Sequence, residues 1–332
     1  MLIRKPSRLQ LPLSGTATVG LILTSLVCGS LEPAPWNTRG SWDRRLQEER
    51  SAPAEVVDAR ADLRRRVDRV AHWNTVIVSQ TNCGYLPFAE NWLHHAAHAN
   101  LTNYLIVTED EPAANYLEAR HPGHVLPAHL LSATRPNLAA TGDKFRDFGS
   151  KDFIKLACAR PVYLSAILAL GYNVLWVDLD AALLMDPFKH LPWLYEYVGV
   201  DDELNNRGRD SNYLCTCFMF LRPTDRVRSL LSEWNEACER GGEGIVGNQI
   251  LFNRVMRSRQ NGTVPLDYYI LPKQLYPDGW NMRRSRGENC GRFWRAPAWS
   301  HANYISGFDN KRQHFRDLGL WQGDKAEAAA VC

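Results

Sequence analysis

From Thr75 onward the chain alternates short β-branched runs with helix-spaced stretches, and no other feature restricts its folding as much. Val76-Ile77-Val78 runs into the polar Ser79-Gln80-Thr81-Asn82. Residues 88–99 read as a helix and Tyr104-Leu105-Ile106-Val107 as a second strand. A helix over 113–120 and a weaker strand at 124–126 continue the rhythm. Such alternation predicts an α/β protein with a parallel sheet covered by helices. Ligands of these sheets gather at the carboxyl ends of the strands. Thr81 and Asn82 fall at such an end, where a ligand contact and a plain turn are both open.

A looser stretch over 131–150 leads to a helix expected over 153–170, stopped by Gly171. The apolar strand Asn173-Val174-Leu175-Trp176-Val177 follows and ends in Asp178-Leu179-Asp180. Immediately after a buried strand, alternation along the extended chain puts both carboxylates on one side. Two clustered carboxylates repel unless a cation neutralises them, and Mn²⁺ or Mg²⁺ bridging a diphosphate does so. A strand-end turn helped by Asp186-Pro187 is the other reading.

The N-terminus addresses the chain. Arg4, Lys5 and Arg8 precede a charge-free, mostly apolar run over 11–31, long enough to cross a bilayer. It reads as a signal anchor with a cytoplasmic tail over 1–10, or as a cleaved signal peptide. Both place the remainder in the secretory lumen. The sequons at Asn100 and Asn261 agree with that compartment. So do the cysteines, 8 in all, some of which should pair there. Residues 32–74 hold interleaved Arg and Asp with a thin apolar stripe, which predicts a stalk or a docking helix before a domain over 75–322 and a tail over 323–332. A formal charge of +3 is small for this length and argues against nucleic acid as the main partner.

Further segments add chemistry. YLCTCFMFLR over 213–222 reads as a long strand that turns at Pro223 into an amphipathic helix. Gly247-Asn248-Gln249 opens another helix, and Trp299-Ser300-His301-Ala302-Asn303-Tyr304 precedes Gly307 and Lys311. A histidine can complete an Asp/Asp metal site, and a lysine can balance phosphate charge.

VLWVDLDAALLMDPF, the long strand into RPT, NQILFN, HANYISGFDNK and GLW, in that order, resemble glycosyltransferase family 77. That family contains plant cell-wall xylosyltransferases and arabinosyltransferases and related galactosyltransferases. The resemblance covers about 75–321. It implies a GT-A fold, with a Rossmann-like nucleotide-binding half fused to a mixed-sheet acceptor half. It also implies a retaining, Mn²⁺-dependent transfer of a pentose or galactose from a UDP-sugar to a glycan or glycoprotein in the Golgi, by a single-pass type II membrane protein. Position by position, Asp180 and Asp178 resemble the metal ligands, with Asp178 a ligand or a ribose contact. His301 resembles the late histidine ligand, and Lys311 with Gly307 the diphosphate-holding segment. Gln249 resembles the glutamine near the donor sugar, and Thr81 and Asn82 the nucleotide contacts; Arg160 is a candidate for a phosphate or nucleotide contact, with a surface salt bridge the other reading. Two positions depart from the family: Asn248 where Asp is usual, and Cys215-Thr216-Cys217 where Asn-Thr-Gly is usual. An inactive lectin or scaffold of the same fold, and a haloacid-dehalogenase-type phosphohydrolase, are the competing readings.

Overall fold

The computed structural model describes residues 54–132, 144–146, 149–202, 213–240, 247–260, 262, 265–284 and 297–324. The apolar run over 11–31, most of the 32–74 segment, Asn261, Cys28, Cys290 and Cys332 lie outside them. Residues 52–332 form one compact unit. Among the described residues no helix is long and apolar enough to cross a membrane.

Helix α1 (Ala54–Val70) forms within the 32–74 segment. Leu63 and Val67 are buried in the core, and Arg66 donates to the Val125 carbonyl at 2.9 Å. The compact unit therefore starts before Thr75. Strand β1 (Thr75–Thr81), helix α2 (Leu86–His98), strand β2 (Tyr104–Thr108), helix α3 (Glu111–Arg120) and strand β3 (Val125–Pro127) repeat the predicted strand–helix pattern. The short α4 (Ala128–Ser132) follows.

The helix expected over 153–170 is two, α5 (Lys151–Cys158) and α6 (Arg160–Leu168), meeting at Ala159. Pro161 is the reason, because it has no N–H to give the Ala157 carbonyl four residues back. That carbonyl is taken instead by the side-chain amide of Asn248, at 3.1 Å. Thus the departure from the family's usual Asp repairs a proline break. An ionised carboxylate could not donate there. Asn248→Asp should cost about 1–3 kcal/mol of stability at neutral pH, read from denaturant midpoints. The variant carboxyl would have a raised folded pKa, so the deficit should shrink as the pH falls toward its unfolded value.

Strand β4 (Asn173–Val177), the short β5 (Ala181–Leu183), β6 (Tyr197–Asp201) and β7 (Leu214–Leu221) come next. They are followed by α7 (Asp225–Arg240), α8 (Asn248–Gln260), β8 (Tyr268–Leu271), α9 (Gly279–Arg284), β9 (Trp299–His301) and α10 (Phe308–Asp317). Among the described residues the main sheet has 7 strands in the order β3-β2-β1-β4-β7-β6-β8. From β3 to β4 the pairing is parallel. Strand β7 runs antiparallel to β4 and β6, and β8 is parallel to β6. A parallel half joined to a mixed half is the arrangement the family resemblance implies.

The period of two sorts the core. Val174 and Trp176 pack on one face with Val76, Val78 and Trp234, while Leu175 and Val177 pack on the other with Ile77, Phe218 and Trp299. A second sheet, β5 paired antiparallel with β9, sets His301 opposite Ala181. Residues far apart in sequence are thereby brought to the carboxyl end of β4.

Candidate active site at the end of the fourth strand

Asp178 and Asp180 converge here, for a reason other than strand alternation. The strand stops at Val177, and Leu179–Asp180 form a turn into β5. The Asp178 N–H donates to the Cys217 carbonyl at 2.9 Å, tying the turn to β7. One ligand atom each from Asp178, Asp180 and His301 lies within 4.8 Å of the others. Hard-metal ligand distances of about 2.0–2.6 Å allow one ion to span that spacing. His301 Nε2 is 3.3 Å from Asp180 Oδ1. The other ring nitrogen, Nδ1, is buried without a hydrogen-bond partner among the described residues. Two carboxylates and an imidazole with an unsatisfied nitrogen fit a divalent ion such as Mn²⁺ or Mg²⁺.

Lys311 on α10 forms an ion pair with Asp180. Burial alone would raise the Asp180 carboxyl, but the Lys311 ammonium and the His301 ring outweigh it and hold it well below the usual carboxylate range. Gly307, the N-cap of α10, has φ 85°, in the left-handed region that favours glycine. An added Cβ would meet only Asn310 Nδ2, at 3.7 Å. Backbone conformation at the helix start, not close approach, requires the glycine.

Arg160 is buried beneath Asp178. One guanidinium nitrogen donates to Asp178 Oδ1 at 2.7 Å, another to the Thr216 carbonyl, and the group lies 4.6 Å from the Trp176 ring centroid. Trp176 Nε1 donates to the same Asp178 oxygen at 2.7 Å. Burial pushes the Arg160 group down, opposed by Asp178 and Asp180. Its geometry makes Arg160 the support that orients Asp178. Thr81 and Asn82 sit at the neighbouring strand end, both buried, with the Asn82 amide donating to the Lys144 carbonyl at 2.9 Å.

Gln249, near the start of α8, reaches the same group of residues. Its Oε1 accepts from the Thr216 N–H at 3.1 Å, and its Nε2 donates to Asp202 Oδ2 at 2.6 Å. Asp202, absent from the sequence reading, is a centre of the site. It accepts from Asn303 Nδ2 at 2.6 Å, and Tyr304 donates to its backbone carbonyl. Burial raises the Asp202 carboxyl; the Gln249 donor, the charge of His301 and the Asn303 donor oppose that shift. A signal existed: Asp201-Asp202 closes an apolar strand just as Asp178 does. Gly279 matters to the same corner, because a Cβ there would lie 2.6 Å from the His301 carbonyl and 2.4 Å from that of Asn303.

Asn100 and Thr102 are exposed between α2 and the amino end of β2, whereas the site lies at the carboxyl ends of the parallel strands. In a secretory host, Asn100→Gln should remove one endoglycosidase-sensitive increment of mobility on a denaturing gel. Cysteines pair as Cys158–Cys238 and Cys215–Cys217, and Cys83 is also disulfide-bonded.

A family profile described as nucleotide-diphospho-sugar transferase matches residues 99–315. The chain belongs to that family, glycosyltransferase family 77. It is similar to the UDP-D-xylose:L-fucose alpha-1,3-D-xylosyltransferase MGP4 of Arabidopsis thaliana, 30% identical over 79% of this chain and 74% of that one. A second Arabidopsis thaliana relative, UDP-D-xylose:L-fucose alpha-1,3-D-xylosyltransferase 1, is 28% identical over 94% of this chain and 90% of its own length. The UDP-galactose:fucoside alpha-3-galactosyltransferase of Dictyostelium discoideum is 23% identical over 57% of this chain and 31% of that protein. Among solved structures, the glycosyltransferase GlyE of Streptococcus pneumoniae TIGR4 superposes with a TM-score of 0.46 at 12% identity, covering 76% of this chain and 62% of that one. Family membership makes the protein a nucleotide-sugar glycosyltransferase and sets aside the phosphohydrolase reading.

Proposed function

We propose that this chain transfers a pentose or galactose from a UDP-sugar to a glycan or glycoprotein acceptor, with retention of anomeric configuration and dependence on Mn²⁺ or Mg²⁺. The observation that carries the metal reading is the convergence of Asp178, Asp180 and His301 beside Lys311. The donor and acceptor class rests on relatives whose names specify UDP-xylose or UDP-galactose and fucose-containing acceptors. The run over 11–31 supports a Golgi membrane location with the catalytic unit in the lumen.

When bound, the ion would supply Lewis-acid stabilisation of the leaving diphosphate. Asp178, Asp180 and His301 would hold it, and Lys311 would add a positive charge for the same phosphates. Arg160 and Trp176 fix the Asp178 carboxylate. Gln249 and Asp202 would face the donor sugar, their positions set by Thr216 and Asn303. The acceptor oxygen forms its bond to the anomeric carbon on the face from which UDP departs, and its proton goes to the departing phosphate oxygen. No enzyme nucleophile enters this scheme.

A panel of UDP-sugars offered with a methyl fucoside acceptor, with Mn²⁺ or with a chelator, tests the reading. Metal-dependent release of UDP with an α-linked product from an α-linked donor is the expected result, followed by NMR of the anomeric proton. An inverted product would overturn retention. Neither hydrolysis nor transfer with any donor would favour a lectin of the same fold.

A further inference from the structure

Cys215-Thr216-Cys217 is the segment of β7 that runs on beyond the last residue of β4, Val177, which pairs with Phe218. Here β7 also leaves β6: Gly199 pairs with Met219 but Val200 with Cys215. Backbone groups freed by this irregularity are used in the site. The Cys217 carbonyl accepts from Asp178, the Thr216 carbonyl from Arg160, and the Thr216 N–H donates to Gln249. The two cysteines point to one side, are buried, and are joined as a disulfide.

Their sulfurs lie beside His301. One ligand atom each from Cys215, Cys217 and His301 lies within 4.8 Å of the others, as is true of Asp178, Asp180 and His301. One imidazole thus stands between a hard donor set and a soft one. His301 is 3% exposed and its Nδ1 has no hydrogen-bond partner among the described residues, a costly arrangement for a buried polar nitrogen. A neutral imidazole has one lone pair available for a metal, so the ring can serve only one of the two sets at a time.

We propose that Cys215, Cys217 and His301 form a second metal site, selective for soft or borderline ions such as Zn²⁺ or Cd²⁺, which exists only when the disulfide is reduced. Filling it withdraws His301 from Asp178 and Asp180. In the disulfide neither sulfur carries a thiolate, so the imidazole is left to the carboxylates. A dithiol reductant opens the bond by exchange, giving two cysteine thiols and the oxidised, cyclic form of the reductant. The entering ion then displaces the two thiol protons to solvent and binds both thiolates. Thiolates favour Zn²⁺ and Cd²⁺ strongly over Mn²⁺, which prefers the carboxylates. Competition for His301 rests on the proposed metal role of the carboxylate pair; the thiolate site itself does not.

Cadmium binding by the full-length chain in detergent is the test, because cadmium–thiolate bonds absorb in the near ultraviolet. The reductant is a phosphine, which with one water yields two thiols and a phosphine oxide, and it is removed before titration. Reduced protein should show the absorption saturating at about one equivalent of Cd²⁺ assignable to this site. Cys158→Ser/Cys238→Ser should keep it, and Cys215→Ser/Cys217→Ser should lose it. Alkylation mapped by mass spectrometry gives a second readout in the unmutated chain, where Cd²⁺ should protect Cys215 and Cys217. Mn²⁺ affinity, followed by the spin resonance of the free ion, should fall ~10-fold or more when Cd²⁺ fills the reduced site. The absorption persisting in Cys215→Ser/Cys217→Ser, or equal alkylation with and without Cd²⁺, would overturn the site. Unchanged Mn²⁺ affinity with the Cd²⁺ site filled would overturn the sharing of His301. Failure of the oxidised chain to bind Mn²⁺ at all would instead overturn the carboxylate reading, leaving the cadmium absorption to decide the thiolate site.

Discussion

Asp180→Asn should lower sugar transfer by ~10³-fold or more, with Mn²⁺ binding weakened in parallel. A neutral amide is a poor ligand for a hard cation, and the change also removes the counter-charge of Lys311 and His301. Both partners of the Lys311–Asp180 pair are mostly buried, so the substitution should also destabilise the fold, by about 1–3 kcal/mol once Lys311 swings toward water. Replacing Lys311 with Met in the same chain should recover stability without recovering Mn²⁺ binding. That separation distinguishes a ligand from a structural anchor. The acid response gives a further sign. Asp180 has a depressed folded pKa, so its contribution is fully present above the unfolded carboxylate value and is lost as the pH falls through the folded one. Wild-type protein should lose this contribution below about pH 4, and Asp180→Asn should not. Full activity of the variant in chelator-treated buffer would sink the assignment.

How much of this was legible in the sequence depended on the range of the interaction. The parallel half was readable because Val76-Ile77-Val78, Tyr104-Leu105-Ile106-Val107 and Asn173-Val174-Leu175-Trp176-Val177 each carry a local pattern, and all became strands. The break between α5 and α6 was missed although Pro161 lies inside the stretch read as one helix. Its missing donor was the stronger signal, and the compensation by Asn248 comes from 91 residues away. The aspartate pair was found for a partly wrong reason, since a turn and not an extended chain gathers its members. His301, Lys311 and Gln249 came from the order of motifs in the family; nothing local announces that β9 pairs with β5 and returns them to β4. Asp202 was overlooked because its partners, Gln249 and Asn303, lie 47 and 101 residues along the chain. Arg160 was read as facing ligand or solvent. Burial against Trp176 instead makes it a brace for Asp178.

His301→Ala and Lys311→Ala should fail in different ways, which makes them the sharper test of the site. Both residues touch Asp180, His301 from β9 and Lys311 from α10. If they merely brace that carboxylate, the two substitutions should weaken metal and nucleotide binding alike, through the same displaced side chain. The proposed roles differ. Removing an imidazole ligand should raise the Mn²⁺ needed for half-maximal activity by roughly 10–100-fold and change UDP affinity less, once Mn²⁺ saturates. Removing the ammonium takes a charge from the diphosphate and leaves the ligand set whole. Lys311→Ala should therefore lower kcat and UDP affinity by roughly 10–100-fold, while Mn²⁺ affinity in the absence of nucleotide stays the same or improves. The improvement has a physical cause: Asp180 no longer spends its charge on an ion pair that metal binding must break. Lys311→Arg should restore charge but not geometry, because a planar fork replaces a point charge, and should recover only part of the lost UDP affinity. Separate titrations of Mn²⁺ by spin resonance and of UDP by calorimetry read the two quantities independently. Equal losses of both ligands in both variants would assign His301 and Lys311 to the support of Asp180 alone.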